Sequence, residues 1–184
     1  DMHAWFEGLK RGRAFVSSGP LIELTIDDRL PGEEITLPDT GGTVEVVGRV
    51  QSVTDLDRIF LVCNGETMNE VPVMGDRRGG TLRVRHRVTR SSWCHLRAEG
   101  TAADRFPMDV TYVQAFTNPI WIQVGDRPIR NAEAANYALR WIDTLQEMAD
   151  MWPGWRTETE RAHVFAQFDE ARDVYRQFIV EASR

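Results

Sequence analysis

Few groups in this sequence have the types and spacing for chemistry. The histidines are His3, His86, His95 and His163. A zinc or two-metal hydrolase needs several His, Asp or Glu ligands converging on one point. Here no H-x-H or H-x-x-x-H pair occurs. His86 and His95 fall in neighbouring β-like runs and are expected on neighbouring strands, facing solvent. His163 sits in a charged first turn of a helix. Cys63 and Cys94 lack CxxC spacing, so a structural zinc is not indicated. They read as two small buried thiols, with a disulfide as the alternative. Asp27-Asp28 and Asp55/Asp57 are not followed by the spaced oxygen ligands that a calcium loop needs. Ser17-Ser18-Gly19-Pro20 lacks the G-x-S-x-G frame of a nucleophile elbow. Gly75, Gly79 and Gly80 do not open a helix as a phosphate-cradling loop would. The residues point to no catalytic constellation and no metal of the chain's own.

The elements that would position these side chains are mostly strands. The 184 residues suffice for one compact domain with a small appendage. Trp5, Phe6, Leu9 and Gly12 recur at helical spacing and predict a short opening helix. Phe15-Val16 is a brief β-like step before the Ser17–Pro20 turn. Alternating apolar residues then predict strands over Leu21–Ile26, Thr43–Val50, Arg58–Cys63, Thr67–Val73, Thr81–Val88, Ser92–Ala98, Thr111–Phe116 and Ile120–Val124. Asn64-Gly65 is a hairpin signal, because both residues tolerate positive φ. After Gly125 the period changes. Asn131 is a plausible N-cap, and an apolar helix face runs from Ala132 to Met151 until Pro153-Gly154 stops it. Thr157 and Glu160 make a capping box for a second helix carrying Phe165, Phe168, Tyr175 and Phe178.

The expected fold is mainly β with α: an antiparallel, immunoglobulin-like β-sandwich of about eight strands, with a short N-terminal helix and a C-terminal helical hairpin. Residues 1–20 read as an inter-domain helix and linker, 21–127 as the sandwich, and 128–184 as the hairpin packed on it. The net charge of −6 disfavours nucleic acid. No apolar run approaches the roughly 18 residues of a membrane span. The opening Asp1-Met2-His3-Ala4-Trp5 enters a helical pattern at once and reads as part of a longer protein. Any export signal or further domain would then lie upstream.

Several phrases together resemble one family. Trp5 through Leu21, with Gly12-Arg13-Ala14-Phe15-Val16-Ser17-Ser18-Gly19-Pro20 at its centre, is similar to a W-x-x-x-L-x-x-G-R-x-F-V-T/S-N/S-G-P-L segment. That segment belongs to PHP-type (polymerase and histidinol phosphatase) metallohydrolases of the carbaryl-hydrolase-like branch. Pro31-Gly32, Asn64-Gly65, Ser92-Trp93, Thr117-Asn118-Pro119-Ile120-Trp121, Trp141-Ile142-Asp143 and Pro153-Gly154-Trp155 resemble later landmarks in the same order. The resemblance implies a parent metal-dependent hydrolase whose divalent metal and ligands belong to an upstream PHP barrel. This region would be its non-catalytic accessory domain, with no cofactor of its own. It would cover the barrel, shape substrate access or mediate homo-oligomer contacts. Arg13, Ser17, Ser18, Gly19 and Pro20 would then form the inter-domain surface. The alternative is a stand-alone module binding carbohydrate or protein through Trp93, Trp121 and Trp155.

Overall fold

The computed structural model describes residues 1–101, 104–105, 108–109 and 112–182. The chain is β-rich with helices, and divides into two compact units, Asp1–Pro128 and Ile129–Arg184. No helix among the described residues is long and apolar enough to cross a membrane.

The first unit opens with α1 (Met2–Lys10), whose N-cap Asp1 accepts a hydrogen bond from His3 N at 2.9 Å. Then follow β1 (Phe15–Ser17), β2 (Leu21–Ile26), β3 (Glu34–Leu37), β4 (Gly42–Gln51), β5 (Arg58–Cys63), β6 (Glu66–Val71), β7 (Gly79–Val88) and β8 (Ser92–Gly100). The short β9 (Asp104–Arg105) and β10 (Met108–Asp109) pair with each other, and β11 (Val113–Thr117) and β12 (Ile120–Val124) complete the unit. Thr111, where a strand was expected to start, lies outside the described residues.

One sheet has the order β2-β4-β7. In the other, β8 pairs with β5 on one edge and with β11 and β12 in succession on the other. β6 extends the sheet beyond β5, β1 beyond β11 and β3 beyond β12. The pairs are antiparallel except β3 with β12, which run parallel. That departs from an all-antiparallel arrangement. No strand was expected over Glu34–Leu37, because four residues between Pro31 and Pro38 carry too little pattern to signal one.

Alternation puts Ile22, Leu24 and Ile26 of β2, and Val44, Val46 and Val50 of β4, into one core with Ile59, Leu61, Leu96 and Ile122 of the larger sheet. Gly48 lies on that inner face of β4. A Cβ there would stand 2.8 Å from Leu96 Cδ2, so the missing side chain makes room for the facing sheet. The β5–β6 turn carries positive φ at Asn64 (51°) and Gly65 (86°), as the Asn-Gly signal demands.

Cys63 and Cys94 face each other in register on β5 and β8 and are joined as a disulfide, with Cα atoms 4.2 Å apart. The bridge replaces the expected pair of free thiols. It lies within one sheet, and only the strand order brings the two residues together.

The second unit holds α2 (Ala132–Asp150) and α3 (Glu158–Ala182). Asn131 caps α2, its side chain accepting from Ala134 N at 3.0 Å. The box at α3 forms with a shift. Thr157 Oγ1 accepts from Glu160 N, while the Glu160 carboxylate accepts from Arg156 N rather than Thr157 N, both at 3.0 Å. Arg172 ties α3 to Asp143 of α2 at 3.0 Å, and Arg130 pairs with Glu181 at 2.6 Å while lying over the Phe178 ring. The expected single apolar face of α2 is split. Ala135 and Ile142 are buried, whereas Trp141, Leu145, Met148 and Trp152 are exposed.

The disulfide closes a sequence separation of 31 residues. Replacing both cysteines with serine is expected to lower unfolding stability by about 2–4 kcal/mol. Urea denaturation of oxidised protein against the double variant measures this, and equal midpoints would refute the pairing.

Candidate functional site

Two surfaces of the first unit gather the residues singled out from the sequence. One is the exit of α1. Gly12 (φ +72°) and Gly32 (φ +87°) pass so closely that a Cβ on Gly32 would lie 1.9 Å from Arg11 O. Asn118 binds the same exit twice, its Nδ2 donating to Gly12 O and its N–H to Ala14 O, both at 3.0 Å. Gly32 N donates to Pro119 O at 2.8 Å. Arg13 Nη2 reaches Glu33 Oε1 at 3.0 Å, and the other Glu33 oxygen accepts from Leu30 N at 2.7 Å. The Leu30 N–H, then the Arg13 guanidinium, hold the Glu33 carboxyl below its ordinary range.

The Ser17–Pro20 turn is built from its own hydroxyls. Ser17 Oγ donates to Pro20 O at 2.5 Å and accepts from Gly19 N at 2.8 Å. Ser18 N donates to Gln114 O, and Ser18 Oγ accepts from Gln114 N, both at 2.9 Å. Pro20 is buried. These hydroxyls are spent on backbone groups, so neither serine is poised as a nucleophile.

What the exit leaves open is apolar. No residue of α1 is buried, and Trp5 (63% exposed), Phe6 and Leu9 stand in solvent with Phe15 and Val16 of β1. Trp5 and Phe6 touch edge to face, with ring centroids 5.1 Å apart. Beside them lies a cleft of about 360 Å³ lined by Arg13, Phe15, Glu23, Leu30 and Thr117.

The second surface is the outer face of the larger sheet. Trp93 and His95 of β8 have ring centroids 5.7 Å apart, and His95 meets Phe116 of β11 edge-on at 6.4 Å. Arg58 and Arg97 lie over the buried Phe60 ring at 4.9 and 5.8 Å. Burial, then the nearby Arg97 charge, keeps His95 below its usual pKa, which favours the neutral ring at neutral pH. Trp121 stands opposite Trp93 in the ladder and is exposed. Trp155 belongs to the other unit. Its Nε1 donates to Ala149 O at 3.0 Å and its ring meets Phe165, so it fastens the α2–α3 turn. The structure thus brings Trp93 and Trp121 together as ladder partners and leaves Trp155 elsewhere.

His86 lies on β7 of the smaller sheet and His95 on β8 of the larger, so they are not on neighbouring strands. Arg97 was expected on this face with Trp93 and His95, whereas Phe60 and Phe116 were not foreseen as members of it. The unbroken run Ile59-Phe60-Leu61-Val62-Cys63 carried the signal, since a strand without alternation is buried on both faces. Among the described residues, no group of three or more His, Cys, Asp or Glu is placed to hold a metal ion. A scan against protein-family models finds no match for the chain, and a search of curated proteins finds none.

Gly32→Ala is expected to break the exit of α1, since it strains a positive φ and drives a methyl group into Arg11 O. Faster hydrogen exchange confined to residues 2–16 and 30–34 would show it, and unchanged exchange would refute it. The Arg13–Glu33 tie has a defined pH window. A carboxyl whose folded pKa lies below its unfolded value adds stability that is complete above about 4.3 and is lost as the pH falls through the folded value. An NMR titration is therefore expected to place Glu33 below the other exposed glutamates and to lose that offset in Arg13→Ala.

Proposed function

We propose that this chain is the non-catalytic accessory region of a PHP-type metal-dependent hydrolase, resembling the carbaryl-hydrolase branch, and that its α1–β1 surface seats the upstream catalytic barrel. The observation that carries this reading is a helix with no buried residue, held rigidly by Gly12, Gly32 and Asn118, and presenting Trp5, Phe6 and Leu9. An exposed contiguous apolar surface of this kind marks an interaction site. Arg13 and Ser17 to Pro20 shape that surface from behind through their backbone and ion-pair contacts. The parent's divalent metal would be held by the barrel. Among the described residues no group of three or more His, Cys, Asp or Glu is placed to hold that metal, which supports assigning it to the barrel.

The finer fold assignment belongs to the same proposal. The order β2-β4-β7 against β6-β5-β8-β12-β3, with the chain crossing between sheets at β1–β2, β2–β3, β3–β4, β4–β5, β6–β7 and β7–β8, is compatible with an immunoglobulin-like sandwich. A second reading, a module that binds carbohydrate, rests on the exposed Trp121 beside the Trp93–His95–Phe116 row.

Purified chain incubated with zinc or manganese and then desalted is expected to keep a negligible fraction of one equivalent. It is also expected to leave phosphomonoester and carbamate substrates unhydrolysed. One tightly held equivalent, or turnover above background, would sink the accessory assignment. Binding of soluble oligosaccharides that Trp121→Ala abolishes would favour the second reading.

A further inference from the structure

The exposed side of α2 is a second apolar stripe, independent of the hydrolase assignment. Ala135 and Ile142 are the buried residues of α2. Tyr137, Trp141, Leu145, Met148 and Trp152 are 61, 55, 39, 59 and 61% exposed. At about 100° per residue Tyr137, Trp141, Leu145 and Met148 fall within roughly 80° of arc on one line along the helix, and Trp152 follows just past its C-cap Met151. A helix needs one apolar stripe to pack on one neighbour. α2 carries two; the second includes Tyr137 and Trp141, and Trp152 extends it just past the helix end.

The pair is also short of core. α3 has no buried residue, although it carries two edge-to-face ring pairs, Phe165 with Phe168 at 5.9 Å and Tyr175 with Phe178 at 5.8 Å. Bundles of four helices enclose such residues on all sides, and two copies of this pair supply four. The area is a large share of what a dimer needs. At 39–61% exposure, side chains of roughly 150–250 Å² each leave the stripe with on the order of 400–700 Å² of exposed surface. A stable interface takes about 800 Å² from each partner.

Charge selects the occupant and its direction. Arg140 and Glu147 lie seven residues apart, hence at the same heptad position on one flank of the stripe. Both are exposed, and neither has an ion-pair partner among the described residues. The Arg140 guanidinium lies 6.0 Å from the Tyr137 ring centroid, at the rim of the stripe. In an antiparallel helix pair related by a twofold axis, each flank faces its own copy. Arg140 of one chain then meets Glu147 of the other, and the symmetry makes the contact twice. A parallel pair would set opposite flanks together and leave both charges unmatched.

We propose that a second copy of this chain docks on the Tyr137–Trp152 face of α2, antiparallel and about a twofold axis, to close a four-helix bundle. Sedimentation equilibrium of the full chain is expected to show a dimer. Trp141→Glu is expected to make it monomeric while the far-ultraviolet circular dichroism stays unchanged. Arg140→Glu alone and Glu147→Arg alone each turn two attractive contacts into repulsive ones, and each should weaken the dimer about tenfold. The double exchange Arg140→Glu/Glu147→Arg should restore it. These exposed positions keep the test decisive if Trp141→Glu fails to fold. A wild-type monomer whose stripe tryptophans are shielded from a quencher would mean that the chain's own sheets occupy the face, and would overturn the proposal. So would a wild-type monomer whose tryptophans are fully quenched, or a dimer that Trp141→Glu leaves intact. Single reversals without effect, or a double exchange without rescue, would overturn the antiparallel arrangement.

Discussion

Strand β8 has to satisfy hydrogen bonds along both edges while burying one face completely, and the first unit is organised around that demand. Its N-terminal half pairs with β12, its C-terminal half with β11, and its other edge with β5 along Cys94–Glu99. Cys94, Leu96 and Ala98 meet the smaller sheet, with Gly48 withdrawn to admit Leu96. On the edge away from β5 two strands share β8, and the chain turns at Asn118-Pro119 between β11 and β12. Proline there removes a ladder donor, and the asparagine turns its own groups toward Gly12 and Ala14. The turn between the strands that share β8 is thus also the anchor for α1. The Cys63–Cys94 bridge fastens β8 to β5 near its start.

That coupling gives the α1 exit its character. Arg13, Ser17, Ser18 and Asn118 look, by residue type, like groups that could bind a ligand. Their donors and acceptors are committed instead to Glu33, Pro20, Gln114 and the backbone of residues 12–14. Polar chemistry is spent on rigidity, and the apolar side chains of α1 and β1 remain for contact. A pre-organised apolar surface loses little entropy on docking. A flexible tail with the same side chains would bind more weakly.

Much of the strand pattern was legible because it depends on local alternation: Leu21–Ile26, the β5–β6 hairpin at Asn64-Gly65 and the Asn131 cap follow from adjacent residues. What was not legible depends on distant partners. Glu34–Leu37 becomes a strand only because β12 lies beside it, in parallel. Cys63 and Cys94 are opposite one another only once β5 and β8 are neighbours. The helical period showed which α2 residues are apolar but merged two stripes into one face, since 3.6-residue spacing does not say how many neighbours a helix has. Of the proposed sites, Trp93 and Trp121 are ladder partners, and their strands' shared edge decided that. Trp155 matched them only in type.

Titratable and apolar groups are distributed differently in this stretch of chain. Catalysis needs titratable groups brought together with their pKa values pushed apart. His86 and His95 are both shifted downward, chiefly by burial, but they lie on different sheets. Neither shift comes from a carboxylate partner, and a neutral imidazole without an acid beside it has nothing to relay a proton to. The exposed apolar residues behave in the opposite way: they are concentrated, on α1–β1 and along α2, each on an element held firmly by polar ties on its other side. Folding has fixed those faces at a cost in exposed apolar area, and a docked partner surface would offset it.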